Sequence, residues 1–242
     1  MSAPRYETQA ERDAAAAELG AELARLAAAA GVALPAPSEL AWCWAKFESD
    51  ATETGSRARL HWLRDDSAPH LTLSRGRAVL AQGGAPDLTA AVRAVSTWLA
   101  GADLAAIRRT APFLHVEDWA FVHERTPLDR VELEWRSRLQ RFEHSVFPWP
   151  DFMKPLWEAA FAEPRLRRLY PVTSHYTLWF ASNTAFPFER VGAAIQPLFD
   201  GTFLVRGRSA EPAAGTTVAS VAEAVALAVA ALPPEQDRPG QR

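Results

Sequence analysis

The residues best suited by type to do chemistry lie between Arg165 and Phe180, in the run RLRRLYPVTSHYTLWF. His175 stands beside Thr173 and Ser174, with Arg165, Arg167 and Arg168 just upstream. An imidazole at a loop-to-strand junction can act as a general base or lend positive charge to an anionic ligand. Arg168, Thr173 and Ser174 would then supply donors to that ligand. One activity that follows is a cofactor-independent enzyme in which His175, with Arg168, works on an acidic metabolite. The alternative is structural: the two hydroxyls satisfy turn donors and His175 packs an edge. Pro171 cannot continue a helix and pushes Tyr170 toward extended geometry. The stretch therefore reads as a basic helix end that enters a strand at Tyr176.

A second set is His115, Glu117, Asp118, His123 and Glu124. These side chain types bind divalent metals, but the spacing is not that of H-E-x-x-H. Only a folded loop or two helical turns would bring them together. A solvated acidic segment is the simpler reading, and no metal site is expected. The single cysteine, Cys43, lies between Trp42 and Trp44. It supports no thiolate zinc site and reads as a buried, inert thiol. There is no G-x-S-x-G nucleophile elbow. Gly83-Gly84 lacks the lysine and further glycines of a phosphate loop, so it reads as a plain turn. No cofactor is implied.

The third set is aromatic: Trp135, Phe142, Phe147, Trp149, Phe152, Trp157 and Phe161. Residues at helical spacing belong to a core. Phe147-Pro148-Trp149-Pro150 cannot all share one helix face. Trp149 and Trp157, rimmed by Arg138, Arg141 and Lys154, are therefore candidate contacts for a peptide, carrier protein or small molecule.

Composition bounds these readings. The chain has 242 residues, 48% of them hydrophobic, enough for a sizeable core. Net charge is −3 and the pI about 6.1, so a general nucleic-acid footprint is absent. The polar start MSAPRYETQAERD has no apolar signal region, and no apolar run reaches membrane-spanning length. With one cysteine, these features place the protein in the cytoplasm, without a membrane or nucleic-acid partner.

The elements that must position these residues follow from periodicity. Leu19, Leu23 and Leu26 predict a helix over 7–30, stopped at Gly31. LAWCWAKF (40–47) predicts one strand, followed by strands over 57–63, 70–74 and 78–81. Asp87 caps a helix over 88–100. Helices are expected over 103–109, 127–142, 151–161 and 164–169, and 113–121 is ambiguous. A strand is expected over 176–182, and a hairpin turns at Asp200-Gly201. Ser220 caps a last helix over 221–232.

The halves resemble each other. Leu73-Ser74-Arg75-Gly76-Arg77 matches Leu204-Val205-Arg206-Gly207-Arg208, and each is followed by a capped helix. Upstream, Leu60-His61-Trp62-Leu63 is set against Thr177-Leu178-Trp179-Phe180, which makes Trp179 a core residue. The expected fold is α+β, with two related helix–antiparallel meander–helix halves in a two-layer α/β sandwich and a helical linker between them. The layout is an N-terminal helix and linker (1–38), a first repeat (39–110), an aromatic-rich helical connector (111–169), a second repeat (170–232) and a disordered tail (233–242).

LYPVTSHYTLWF, the Phe186-Pro187 pair and the closing VAEAVALAVAALP together resemble an actinobacterial family. It is known as natural product biosynthesis protein, domain of unknown function 6193. The segment AAVRAVSTWLAGADL is compatible with it. The resemblance implies a biosynthetic setting but no reaction, cofactor or catalytic residue. An accessory or binding protein for a peptide, carrier or small molecule fits best. The His175 enzyme is one alternative, and an immunity-type protein that binds a partner protein is another.

Overall fold

A computed structural model describes residues 8–49, 55–63, 68–76, 78–144, 150–207 and 215–234. The chain divides into two compact units, Met1–Pro127 and Leu128–Arg242. Each is α+β, with helices laid on an antiparallel sheet, and this is the fold class the sequence predicts.

The first unit opens with α1 (Gln9–Ala30), whose Thr8 and Glu11 form a reciprocal capping box. Strands β1 (Glu39–Ala41), β2 (Trp44–Glu48), β3 (Ser56–His61), β4 (His70–Arg75) and β5 (Ala78–Gly84) follow as a meander in sequence order. The single strand expected over 40–47 is therefore two. Ala41 pairs with Trp44, and Trp42 and Cys43 form the turn between them. The Cys43 carbonyl accepts from the Trp62 amide at 2.7 Å, which ties this turn to the end of β3. Helix α2 (Leu88–Leu99) is capped by the Asp87 carboxylate on the Ala90 amide. Short helices α3 (Leu104–Thr110) and α4 (Asp118–Arg125) complete the unit. The ambiguous 113–121 segment resolves into an isolated bridge, His115 to Gln82, and the start of α4.

Burial alternates strictly along β2 and β3. Ala45, Phe47, Ala58, Leu60, Leu71 and Leu73 form the buried face. Helix α2 packs against β3 and β4, and α1 against α2 and β1. Trp98 anchors this layer. Its indole N–H donates to the carbonyls of Arg57 and Ser74 at 3.1 and 3.2 Å. The Arg75 guanidinium lies 4.2 Å over the Trp98 ring. It also donates to Glu124 and to the Ala102 carbonyl, both at 2.6 Å. Glu124 in turn accepts from the first amide of α3, Leu104, at 3.1 Å. One arginine thus joins the end of β4, the α2–α3 turn and α4.

The second unit begins with α5 (Arg130–His144), α6 (Met153–Ala162) and α7 (Pro164–Arg167). Asp129, rather than Pro127, starts α5, and its carboxylate accepts from the Val131 and Glu132 amides. The meander β6 (Tyr170–Ser174), β7 (Thr177–Ala181), β8 (Arg190–Pro197), β9 (Phe203–Arg206) and β10 (Gly215–Val218) follows, then α8 (Val221–Ala230). Strands β6 and β10 are additions to the sequence reading. Pro171 is compatible with β6 because that strand lies at the sheet edge, where a missing N–H costs no ladder bond. Ser220 and Glu223 form a second capping box on α8.

Helices α5–α7 lie in the second unit and supply much of its core. Trp135, Trp157, Leu156, Leu166, Leu178, Phe180, Ile195 and Ala228 are all fully buried there. Trp135 is the hub: its ring meets Trp157 at 5.5 Å, Phe161 at 5.7 Å and Phe180 at 6.2 Å. Its indole N–H donates to the Leu169 carbonyl at 3.0 Å, which fixes the entry to β6. Gly192 takes φ +67 beside a register shift in the β7–β8 pairing. A Cβ there would sit 2.7 Å from Leu232, so the glycine lets the chain after α8 close onto β8.

Each sheet is followed by a side-chain-capped helix, and Leu73–Arg75 and Leu204–Arg206 of the matched segments end β4 and β9, the fourth strand of each meander; Arg77 and Arg208 lie outside the described residues. Thr177–Phe180 lies on the second strand of its sheet and Leu60–His61 on the third, so that upstream pairing does not hold. Trp179 loses its assignment to the core: it is half-buried, on the face opposite Leu178 and Phe180.

The two core tryptophans separate a hydrogen bond from packing. Trp157 is as buried as Trp135, but its Nε1 has no hydrogen-bond partner among the described residues. Both Trp→Phe changes leave similar voids, while only Trp135→Phe strands a carbonyl. Trp135→Phe should therefore destabilise by about 1–3 kcal/mol more than Trp157→Phe. Urea denaturation followed by circular dichroism reads this difference, and equal losses would show that the Leu169 bond contributes nothing.

Candidate functional site

The Thr173-Ser174-His175 corner is a β-hairpin rather than a helix-to-strand junction. Ser174 pairs with Thr177, and His175 and Tyr176 are the two central residues. Both have positive φ, 48 and 69 degrees, the pattern of a type I′ turn. That turn favours Asn-Gly; a histidine followed by a tyrosine is strained there. His175 is exposed, and its Nδ1 lies 3.1 Å from the Ser174 hydroxyl. Tyr176 meets Phe152 edge-on at 6.5 Å.

The hairpin separates the residues that the sequence grouped. Arg168 is exposed at the end of α7, before β6, and His175 lies beyond its far end. The five residues of the intervening strand β6 alone span about 17 Å. Thr173 is half-buried on the core-facing side of β6, opposite Leu178, while Ser174 is exposed. Trp157 is fully buried in the core, so it offers no surface to a ligand. Trp149, with Phe147 and Pro148, lies outside the described residues.

The acidic histidine segment is also dispersed. His115 pairs with Glu117 at 3.0 Å, and Glu124 is held by Arg75. His123 meets Trp119 at 6.4 Å, and burial lowers its pKa. Among the described residues no group of three or more His, Cys, Asp or Glu is arranged to hold a metal. Cys43 is half-buried, and burial pushes its thiol up, away from the reactive thiolate.

The feature the sequence reading missed is on the outer face of the second sheet. Phe188 stacks on Tyr170 at 5.5 Å and meets Trp179 edge-on at 6.1 Å. Phe186 meets Phe188 at 6.2 Å and is 87% exposed. Val172, directly opposite Trp179, continues the apolar row. The loop that carries these rings is braced by Asn183. Its amide donates to the carbonyls of Ala185 and Pro187, both at 2.9 Å, and its oxygen accepts from the Glu189 amide at 2.8 Å. Ser182 adds a bond to the Glu189 carboxylate at 3.1 Å. Tyr170 is anchored from behind, its hydroxyl donating to Glu134 on α5 at 3.1 Å. The signal was present as Phe186-Pro187-Phe188 in a polar loop, but period-two reasoning applies only to strands.

Residues 129–238 match the model of a family of unknown function, DUF6193, a span that coincides with the second unit. No curated protein and no solved structure matches the chain. Among the described residues no helix is long and apolar enough to cross a membrane.

The strained turn makes a direct prediction. His175→Gly removes the left-handed penalty at one position and should stabilise the protein by about 1 kcal/mol. A rise in urea midpoint checks this, whereas a fall would show that the imidazole contributes more than its backbone strain costs.

Proposed function

We propose that this is a binding protein whose second unit takes an apolar segment of a peptide or carrier-protein partner on its outer sheet face. The observation that carries the reading is Phe186, 87% exposed on a loop held by four hydrogen bonds from Asn183 and Ser182. Leaving a phenylalanine in water forgoes about 2–3 kcal/mol that burial would supply. Bracing that ring in place lowers the ordering cost of association. Phe188 and Trp179, both half-buried, extend the same row over the buried Tyr170, and aromatic anchors of this kind dominate protein interfaces.

The enzyme alternative draws less support, because the length of β6 separates Arg168 from His175. A biosynthetic setting in the cytoplasm, as the family resemblance implies, remains part of the proposal. An immunity-type protein would use the same surface against a different protein.

The test is affinity capture from the native host with tagged protein, quantified by mass spectrometry. Phe186→Asp should reduce recovery of the partner roughly 30-fold, as expected for loss of an anchor worth ~2 kcal/mol. Phe199→Asp, at the similarly exposed β8–β9 turn, should leave recovery unchanged. Equal recovery by wild type and Phe186→Asp would overturn the reading.

A further inference from the structure

The outer face of the first sheet carries a different chemistry. Strands β2, β3 and β4 place six side chains there in two cross-strand rows. One row is Lys46, Arg59 and Thr72, and the next is Trp44, His61 and His70. Side chains directly opposite on neighbouring strands stand about 5 Å apart at Cβ, so each row is one contact surface. The Arg59 guanidinium lies 5.5 Å from the centroid of the Trp44 ring, and the His61 ring lies 6.5 Å from it. These geometries gather Arg59, Trp44 and His61 into one cluster, with His70 directly across from His61.

The charges of this cluster are unbalanced. Lys46 is matched by Glu39, its cross-strand neighbour in the first row, at 2.8 Å and by Glu48 at 3.1 Å. Arg57, the next residue along the face, is matched by Glu48 at 3.2 Å. Arg59 makes no ion pair among the described residues, and Lys46, a like charge, stands directly opposite it. Glu39 and Glu48 offset Lys46 and Arg57, so the positive charge left over on this face is that of Arg59, whose field also reaches Glu39. Once protonated, at pH below the usual imidazole range, His61 would add a further positive charge. Burial lowers the His61 pKa, and Arg59 and His70 lower it further.

We propose that this face is a binding site for a phosphate group, with Arg59 as its principal contact. The guanidinium offers a planar fork of donors matched to phosphate oxygens. The Thr72 hydroxyl, half-buried and directly opposite Arg59, is a neutral donor on the same row. His61 and His70 close the adjoining side, and the Trp44 ring borders it. The site is independent of the aromatic surface of the second unit, and neither proposal depends on the other.

The experiment titrates the histidine side chains of the full chain by NMR, in phosphate and in chloride at equal ionic strength. The charged groups around His61 are Arg59 and Lys46 on the face, His70 across from it, and Glu39 and Glu48 at the margin. A bound phosphate anion favours the imidazolium, so phosphate should move the His61 titration to higher pH. Arg59→Gln should weaken phosphate binding at least ten-fold with unchanged circular dichroism. Arg57→Gln, whose partner is Glu48, should leave it within two-fold. Adenosine monophosphate as a second probe distinguishes sources: affinity equal to that of inorganic phosphate assigns the site to the phosphate group alone. Tighter binding that is lost in Trp44→Ala assigns it to a nucleotide. A His61 titration identical in phosphate and chloride, or phosphate affinity unaltered by Arg59→Gln, would overturn the proposal.

Discussion

A five-stranded antiparallel meander has two faces, and in each unit most of the large buried strand residues lie on one of them. This constraint governs the rest of the molecule. The covered face takes alternating apolar residues, as in Ala58 and Leu60 of the first sheet or Leu178 and Phe180 of the second. The other face has to be stable by its own side chains. The two units meet that requirement differently. The first covers its outer face with charges, imidazoles and ion pairs, and the second with aromatic rings that pack on one another.

The covered faces share a device. A buried tryptophan in each unit uses its ring for packing and its N–H to fix backbone. Trp98 bonds the carbonyls of Arg57 and Ser74, and Trp135 bonds that of Leu169. A buried tryptophan supplies a large apolar surface, and its N–H usually finds a partner. Arginines then extend the arrangement outward. Arg75 lies over Trp98 and pairs with Glu124, while Arg136 and Arg167 lie over Phe161 and share Glu132. Helices that could slide on an apolar sheet are held in register by these directional contacts.

Much of this was legible from residues whose chemistry is local. Asp87 and Ser220 announce their helices because a side chain cap acts within three residues. Asp200-Gly201 announces a hairpin for the same reason. The α+β class followed from helices alternating with runs of period-two apolar residues. What was not legible depends on tertiary context. Strand β6 contains Pro171, which reads as a breaker and is acceptable only because the strand is at an edge. The His175-Tyr176 turn lacks the glycine or asparagine that marks such hairpins, so the corner looked like a catalytic loop. Trp179 lies in TLWFA, which is apolar on both faces, so alternation could not say which side is covered. Strand β10, GTTV, has almost no apolar signal. The aromatic surface itself is assembled from Trp179, Phe186 and Phe188 over a buried Tyr170, which only the sheet brings together.

Hydroxyl-radical footprinting of the free protein, read residue by residue by mass spectrometry, tests the one-sided covering most directly. Trp44, Trp179 and Phe186 should be modified at least several times faster, relative to their intrinsic reactivity, than Trp98, Trp135 and Trp157. Protection of Trp44 and Trp179 equal to that of Trp98 and Trp135 would mean that both faces of each sheet are covered, and would contradict the account.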